Sequence, residues 1–433
     1  MSLPHRSARW PICFLSSATS TATDMRAFWG WLVLCLAAGL FAAEIARAAP
    51  GPAVPPPKAL EEQVRAALKA QPREPRLWNN LGVSLRRQGR NAEAISAYRQ
   101  AVRLDSKYAD AYSNLAVALT AIGRHDEALG AIRTALKLDR DNPVYRLNLA
   151  TVYEGLGRDG EAAIEYRAYL QRAGESAAVY ERLAKIQQKL GRNAQARTSR
   201  QKAVDLEPEN GAYRLAYGQA LAAAGQDFAA IAQLEAAVRL KAMDARSWLL
   251  LATLYNGQQQ TDAAAAALRE AAALDPGSAR VQNDLGVTLS KLKLTDQAAE
   301  ALNRAVTLAP SYAEAWSNLG VVLRGQGKMN EAEQAYQRAL GIESRLPQIY
   351  NNLGVLYLES ERVQEAVPQF QQALVLEPGY WEARRNLAMA LGRLGKWGAA
   401  ADQLKLALEA AQVPSALITQ VQADLQKLQE ASR

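Results

Sequence analysis

The chain has few of the side chains on which metal and thiol chemistry depends. Its 433 residues include only two cysteines and two histidines. Cys13 and Cys35 both precede residue 50, so a chain that loses this segment has no thiol for a disulfide or a thiolate metal site. His5 and His125 are too few to assemble a zinc site. We therefore expect no metal ion and no cofactor.

Sheet-forming runs and a concentrated charge of one sign are also missing. There are only five Phe, and no long stretch alternates Val, Ile or Thr with polar residues, which favours a mostly helical chain. The net charge of +8 is spread over 51 basic and 43 acidic side chains of mixed order. A nucleic-acid-binding protein concentrates its basic residues on one face, so we expect no nucleic-acid partner. A local basic excess at residues 76–107 is typical of a solvated end, or of a site for an acidic partner.

The N-terminal segment has the features of an export signal. Residues 1–24 are interpreted as a mis-chosen start or a disordered extension. A basic start at Met25-Arg26, a 17-residue apolar run at 27–43 and small residues at Ala46 and Ala48 predict a signal peptide over 25–48. Two alternatives are an uncleaved anchor through residues 27–43, attached to the inner membrane, and lipidation at Cys35. All three predict a periplasmic or secreted location for the repeats.

A 34-residue period dominates the rest of the chain. With Pro75 as position 1, ten repeats run to residue 414 without an insertion. Position 20 is always alanine: Ala94, Ala128, Ala162, Ala196, Ala230, Ala264, Ala298, Ala332, Ala366 and Ala400. Positions 4, 7, 8 and 11 share one face of a first helix, and positions 20, 24 and 27 share one face of a second. Small residues at positions 8 and 20 predict close packing of the two helices, and glycine at position 15 ends the first helix.

These residues resemble the tetratricopeptide repeat. The stretch Ala315-Trp316-Ser317-Asn318-Leu319-Gly320, followed by Glu331-Ala332 and Tyr336, is similar to the consensus of that family. The resemblance implies an all-α protein, an α-solenoid (TPR superhelix) of antiparallel helix pairs with a concave groove. It is flanked by a proline-rich spacer at 49–57, a degenerate half repeat at 58–74 and a C-terminal capping helix at 415–433. Repeat four departs from the pattern with Arg200 at position 24, which predicts a soft joint near residues 165–205 unless Tyr169 repacks against Ala177 and Ala178.

Two sets of side chains on the first helices are candidates for binding a partner. The first is the asparagine series at position 6: Asn80, Asn114, Asn148, Asn318, Asn352 and Asn386. It is similar to the asparagine ladder of the O-linked N-acetylglucosamine transferase superhelix, whose amides hold peptide chains, although the catalytic domain of that enzyme has no counterpart here. The alternative is a structural role in which the amides bridge adjacent repeats. The second is the apolar segment, Leu215, Leu249 and Leu250, which either forms a groove floor for an apolar peptide or is half-buried between helices.

The functional prediction is an exported scaffold or adaptor that binds protein or peptide partners in its groove. It would serve a cell-envelope assembly, secretion or polysaccharide-export system. Alternatives are a self-associating structural module and a substrate-recruiting subunit whose catalytic part is another chain. The residues offer no nucleophile–base pair and no glycine-rich phosphate loop, so we do not expect an enzyme. Positions 5 and 9 lack the side chains by which some family members hold acidic tails. The partner and the oligomeric state stay open.

Overall fold

A computed structural model describes residues 56–409 and 415–431, which form 22 α-helices and no strand. The described residues fall into two compact units, one ending at Glu207 and one starting at Pro208. Unit 1 contains α1 (Pro57–Ala70), α2 (Pro75–Arg87), α3 (Asn91–Leu104), α4 (Ala109–Ala121), α5 (His125–Leu138), α6 (Pro143–Gly155), α7 (Asp159–Ala173), α8 (Ala177–Lys189) and α9 (Asn193–Leu206). Unit 2 contains α10 (Gly211–Ala222), α11 (Asp227–Arg239), α12 (Ala245–Gly257), α13 (Thr261–Leu274), α14 (Ala279–Lys291), α15 (Thr295–Leu308), α16 (Ala313–Gly325), α17 (Met329–Ile342), α18 (Pro347–Glu359), α19 (Val363–Leu376), α20 (Trp381–Arg393), α21 (Trp397–Glu409) and α22 (Ser415–Ala431).

The helix boundaries follow the 34-residue period. In all ten repeats the first helix begins at position 1 and the second at position 17. Within each unit, the two helices of a repeat pack together and the second helix packs on the first helix of the next repeat. Each unit is thus an α-solenoid of helix pairs, which confirms the predicted fold class. The predicted extension at 1–24, the signal peptide at 25–48 and most of the spacer at 49–57 lie outside the described residues. None of the described helices is both long and apolar enough to cross a membrane.

Small side chains bring the two helices of a repeat together. None of the ten position-20 alanines exposes more than 2 % of its surface. A Cβ atom placed on Gly320 at position 8 would lie 2.6 Å from the ring of Tyr336, and one on Gly354 would lie 2.6 Å from the ring of Phe370. The position-24 ring therefore fills the space that a larger position-8 residue would need.

The turn between the two helices needs a left-handed residue in every repeat, but that residue is not always glycine. Position 15 is a glycine with positive φ in seven repeats, as in Gly89 (φ 76°). In the other three it is Gln259, Lys293 or Glu361, with φ between 59° and 62°. An L-residue in this conformation costs about 1 kcal/mol. The turn is therefore more regular in structure than the position-15 glycines indicate. Three repeats adopt the same backbone conformation without glycine, at some cost in stability.

Repeat four fills its core with polar side chains. Arg200 is only 8 % exposed, and its Nη2 donates to Gln188 Oε1 at 2.8 Å. Its Nε lies 3.6 Å from Oε2 of Glu181, which is also 8 % exposed, and neither atom has a hydrogen-bond partner. Burial raises the pKa of Glu181. The predicted soft joint at 165–205 stays a prediction, and the division between the units comes just after it, at Glu207.

The C-terminal end of unit 2 is covered by α22. This helix packs on α21, and its Leu425 lies against the core of the unit. Arg385, at position 5 of repeat ten, donates from Nη2 to Asp424 Oδ2 of α22 at 2.9 Å. Repeat ten is therefore bonded to α22 through a side chain at position 5.

Candidate functional site

The position-6 asparagines hydrogen-bond to the preceding repeat. In four cases Nδ2 donates to a position-5 side chain 35 residues earlier. The pairs are Asn114 to Asn79 Oδ1 (2.9 Å), Asn148 to Ser113 Oγ (2.8 Å), Asn318 to Asn283 Oδ1 (2.9 Å) and Asn386 to Asn351 Oδ1 (2.9 Å). All four acceptor residues are buried. One side of each of these amides is therefore engaged in joining repeats.

The sequence contained a signal for these pairs. Every position-6 asparagine from Asn114 onward comes after a repeat that carries Asn or Ser at position 5, and where position 5 is Leu or Glu the next position 6 is not asparagine. The acceptor can only be recognised by comparing two positions in neighbouring repeats, because position 6 alone gives no information on its partner. Asn80 and Asn352 are half-buried, and their side chains have no hydrogen bond within the part of the chain described.

Where the asparagines are interrupted, other polar side chains occupy position 6 in two repeats. Arg182, in repeat four, donates from Nη1 to Thr151 Oγ1 of the preceding repeat at 3.2 Å and to the Tyr166 hydroxyl at 3.3 Å. Asp284, in repeat seven, accepts from Asn283 Nδ2 at 3.2 Å, and its burial raises the pKa of its carboxyl. These contacts form part of the packing of the helices.

The apolar segment differs from its counterpart in unit 1. Leu147 occupies position 5 of repeat three and is 6 % exposed. Leu215 and Leu249, at the same position of repeats five and six, are only half-buried, as is Leu250 at position 6. All three pack against the core of unit 2 from its edge, and contact between α10 and α12 brings their helices side by side. Repeats five and six thus leave leucine surface open to solvent.

The described residues show no arrangement suited to metal chemistry. No three of their His, Cys, Asp or Glu side chains come together in a way that could hold a metal ion. His125 starts α5, where its ring lies against Gly155. Carboxylates instead stabilise the packing, as at Glu333, whose pKa is lowered by hydrogen bonds from Arg362 and from the Tyr357 hydroxyl.

The asparagine pairs predict a measurable cost of truncation. We expect Asn386→Ala to lower the free energy of unfolding of unit 2 by about 1–3 kcal/mol, because the buried Asn351 Oδ1 would lose its donor. Asn352→Ala is the matched control, since it removes the same side chain from the same repeat position without breaking a described hydrogen bond. Urea unfolding of both variants measures the difference, and equal losses would contradict a role in joining repeats.

Comparisons with known proteins agree with this architecture. Models described as tetratricopeptide repeat match residues 61–109, 84–143, 113–178, 177–210, 229–279, 255–319, 311–376 and 351–415. Together they span 61–210 and 229–415, well over half of the chain. No curated protein matches the chain in a sequence search.

Several solved structures are similar to parts of the chain. MamA is 24 % identical, with a TM-score of 0.35, over 37 % of this chain and 94 % of its own. PilF of Pseudomonas aeruginosa is 23 % identical, with a TM-score of 0.42, over 51 % of this chain and 96 % of its own. The APC/C hetero-tetramer Cut9–Hcn1 is 16 % identical, with a TM-score of 0.42, over 86 % of this chain and 81 % of that one. At these scores the likenesses carry no functional argument.

The family to which the chain belongs therefore follows from the matches to the family models. Proteins built from these repeats are usually non-catalytic scaffolds. The chain belongs to the tetratricopeptide-repeat family, whose repeats generally mediate protein–protein interaction.

Proposed function

We propose that the chain is an exported, non-catalytic scaffold that binds an apolar peptide segment of a protein partner at Leu215, Leu249 and Leu250. The observation that carries this proposal is the incomplete burial of Leu215 and Leu249 at position 5, where six other repeats bury their side chains, with the half-buried Leu250 next to Leu249. Solvated apolar surface in a fixed row of helices is what a partner's apolar side chains bind. The free groups of the asparagine series would pair with the partner's backbone beside it.

The export part of the proposal is supported by the sequence of residues 25–48. A basic start, an apolar run and small residues before Ala49 are typical of a cleaved signal. In such a location the scaffold would serve cell-envelope assembly, secretion or polysaccharide export. A reporter enzyme active only outside the cytoplasm, fused after residue 433, should be active with residues 25–48 present and inactive without them. Equal activity in both fusions would refute export through this signal.

Binding at the apolar segment can be tested by cross-linking in cells. A photo-reactive amino acid at Ala216, which lies next to Leu215 and is half-buried, should form an adduct with the partner. The double change Leu249→Asp and Leu250→Asp should reduce that adduct at least about tenfold, because burying an unpaired carboxylate against apolar surface is costly. Mass spectrometry of the adduct identifies the partner.

The control changes an exposed apolar side chain of the same unit. Phe228 is 74 % exposed on α11, the second helix of repeat five. Phe228→Asp should leave the adduct unchanged. Equal loss in both variants would place the binding surface elsewhere, and an adduct formed with a second copy of the chain would favour self-association.

A further inference from the structure

Three repeats carry a charged side chain at position 12, near the end of the first helix: Arg86, Glu154 and Arg324. In two of them the next repeat supplies the opposite charge. Glu154 lies 3.6 Å from the guanidinium of Arg182, and Arg324 Nη1 donates to Glu359 Oε1 at 2.7 Å. Arg86 has no ion-pair partner within the residues that the structure describes, although it is half-buried. It is the exception in an otherwise paired set.

Arg86 and Arg324 have nearly the same surroundings. Each lies beside a fully buried position-24 tyrosine, Tyr98 or Tyr336. A Cβ atom on Gly82 would lie 2.5 Å from the Tyr98 ring, and one on Gly320 would lie 2.6 Å from the Tyr336 ring, so both rings have the same placement. In both repeats the tyrosine hydroxyl and the arginine Nε are buried without a hydrogen-bond partner. Burial raises the pKa of both phenols to about 12, so both stay protonated at neutral pH.

The two arrangements differ in the residue that lies 35 positions later. For Arg324 this is Glu359, and for Arg86 it is Ala121, which is exposed. Beside Arg86, the place that corresponds to the Glu359 carboxylate is therefore open to solvent. Arg87 is exposed next to it, and its pKa is lowered by partial burial and by the charge of Arg86. Within residues 56–409 and 415–431, neither of these two adjacent guanidinium groups forms an ion pair with a carboxylate.

We propose that Arg86 and Arg87 bind a carboxylate of the partner chain, in the place that Glu359 occupies beside Arg324. A guanidinium forms short charge-assisted hydrogen bonds with a carboxylate, and the Arg324–Glu359 pair shows that this repeat geometry accommodates one. The carboxylate belongs to an acidic side chain or to a chain terminus. The inference rests on the proposed function for the nature of the partner, but the site lies in unit 1 and can be tested separately from the apolar segment.

The test uses fluorescent hexaglutamate peptides with a free or an amidated C-terminus. Their binding to the chain from residue 49 onward, which keeps every described residue, is measured by anisotropy at low salt. Arg86→Gln should weaken binding about tenfold, by removing a charge-assisted bond. Ala121→Glu should weaken it by a similar factor of about ten, because an internal carboxylate would occupy the site as Glu359 does. The amidated peptide distinguishes a terminal from a side-chain carboxylate.

Two controls separate this site from general attraction between charges. Arg324→Gln, in the repeat whose arginine is already paired, and Arg103→Gln, at an exposed basic residue of repeat one, should each change the affinity less than about twofold. The Leu249→Asp and Leu250→Asp variant should also bind hexaglutamate normally, so failure of the apolar segment and failure of this site give different results. No binding to the unaltered chain, binding that survives Ala121→Glu, or equal binding of single-stranded DNA of the same charge would overturn the proposal.

Discussion

Replacing Phe370 by alanine should lower the free energy of unfolding of unit 2 by about 3–5 kcal/mol. Phe370 is fully buried at position 24 of repeat nine, with its ring against Gly354 of the facing helix. Alanine would lose the transfer free energy of the ring and leave a cavity that two helices held by other contacts cannot close. Urea denaturation followed by circular dichroism measures the change.

The same substitution at an exposed site provides the comparison. Phe228 belongs to the same unit but is 74 % exposed. Phe228→Ala should change the free energy of unfolding by less than about 0.5 kcal/mol. Phe370→Leu should cost less than Phe370→Ala, because leucine occupies position 24 in repeats five, six, seven and ten. A similar cost for Phe370→Ala and Phe228→Ala would mean that the position-24 ring does not hold the repeat together.

The second large effect is expected at the buried ion pair of repeat four. Arg200→Leu alone should destabilise unit 1 by about 1–3 kcal/mol, because Glu181 would remain buried with only the exposed Lys185, 3.8 Å from its Oε1, as an opposite charge. Glu181→Leu alone should be similarly harmful, since it leaves the buried guanidinium unpaired. As a control, Arg304→Leu breaks the exposed pair with Glu300 and should cost less than about 1 kcal/mol.

Replacing both partners should instead increase the stability of unit 1. The Glu181→Leu and Arg200→Leu double variant should be more stable than the original chain by about 1–4 kcal/mol, because two buried atoms without hydrogen-bond partners disappear. Leucine already occupies position 5 in repeats three, five and six, and position 24 in four other repeats. A double variant as unstable as either single variant would show that the pair is needed for the packing itself. Thermal unfolding of the original chain, the two single variants and the double variant measures the interaction free energy between the two residues.

Much of the fold was predictable because it depends on side-chain size at fixed positions. An alanine at every position 20 can only mean that a neighbouring backbone comes close, and the structure buries all ten. The position-15 turn was predictable only where glycine marks it. At Gln259, Lys293 and Glu361 the packing of both helices imposes the left-handed conformation on residues that do not favour it, so local sequence gives no sign.

The candidate site was less predictable, because polar side chains have several possible partners. The sequence identified the asparagine series but left open whether its amides bind a peptide or join repeats. The partner of each Nδ2 depends on the residue 35 positions earlier, as with Asn283 for Asn318. The incomplete burial of Leu249 and Leu250 depends on how closely the neighbouring helices approach, and a hydrophobic residue type does not reveal that.

The asparagine bonds between repeats all have the same direction. Where asparagines join two repeats, the earlier repeat offers an oxygen at position 5 and receives an N–H from the later one. Arg385 breaks this rule, because a guanidinium has donors but no acceptor. A further repeat with asparagine at position 6 would find nothing to accept its hydrogen bond, whereas the carboxylate of Asp424 pairs with Arg385 directly. A repeat placed after Arg385 would therefore need a different side chain at position 6, as repeats four to seven have after Leu147, Glu181, Leu215 and Leu249.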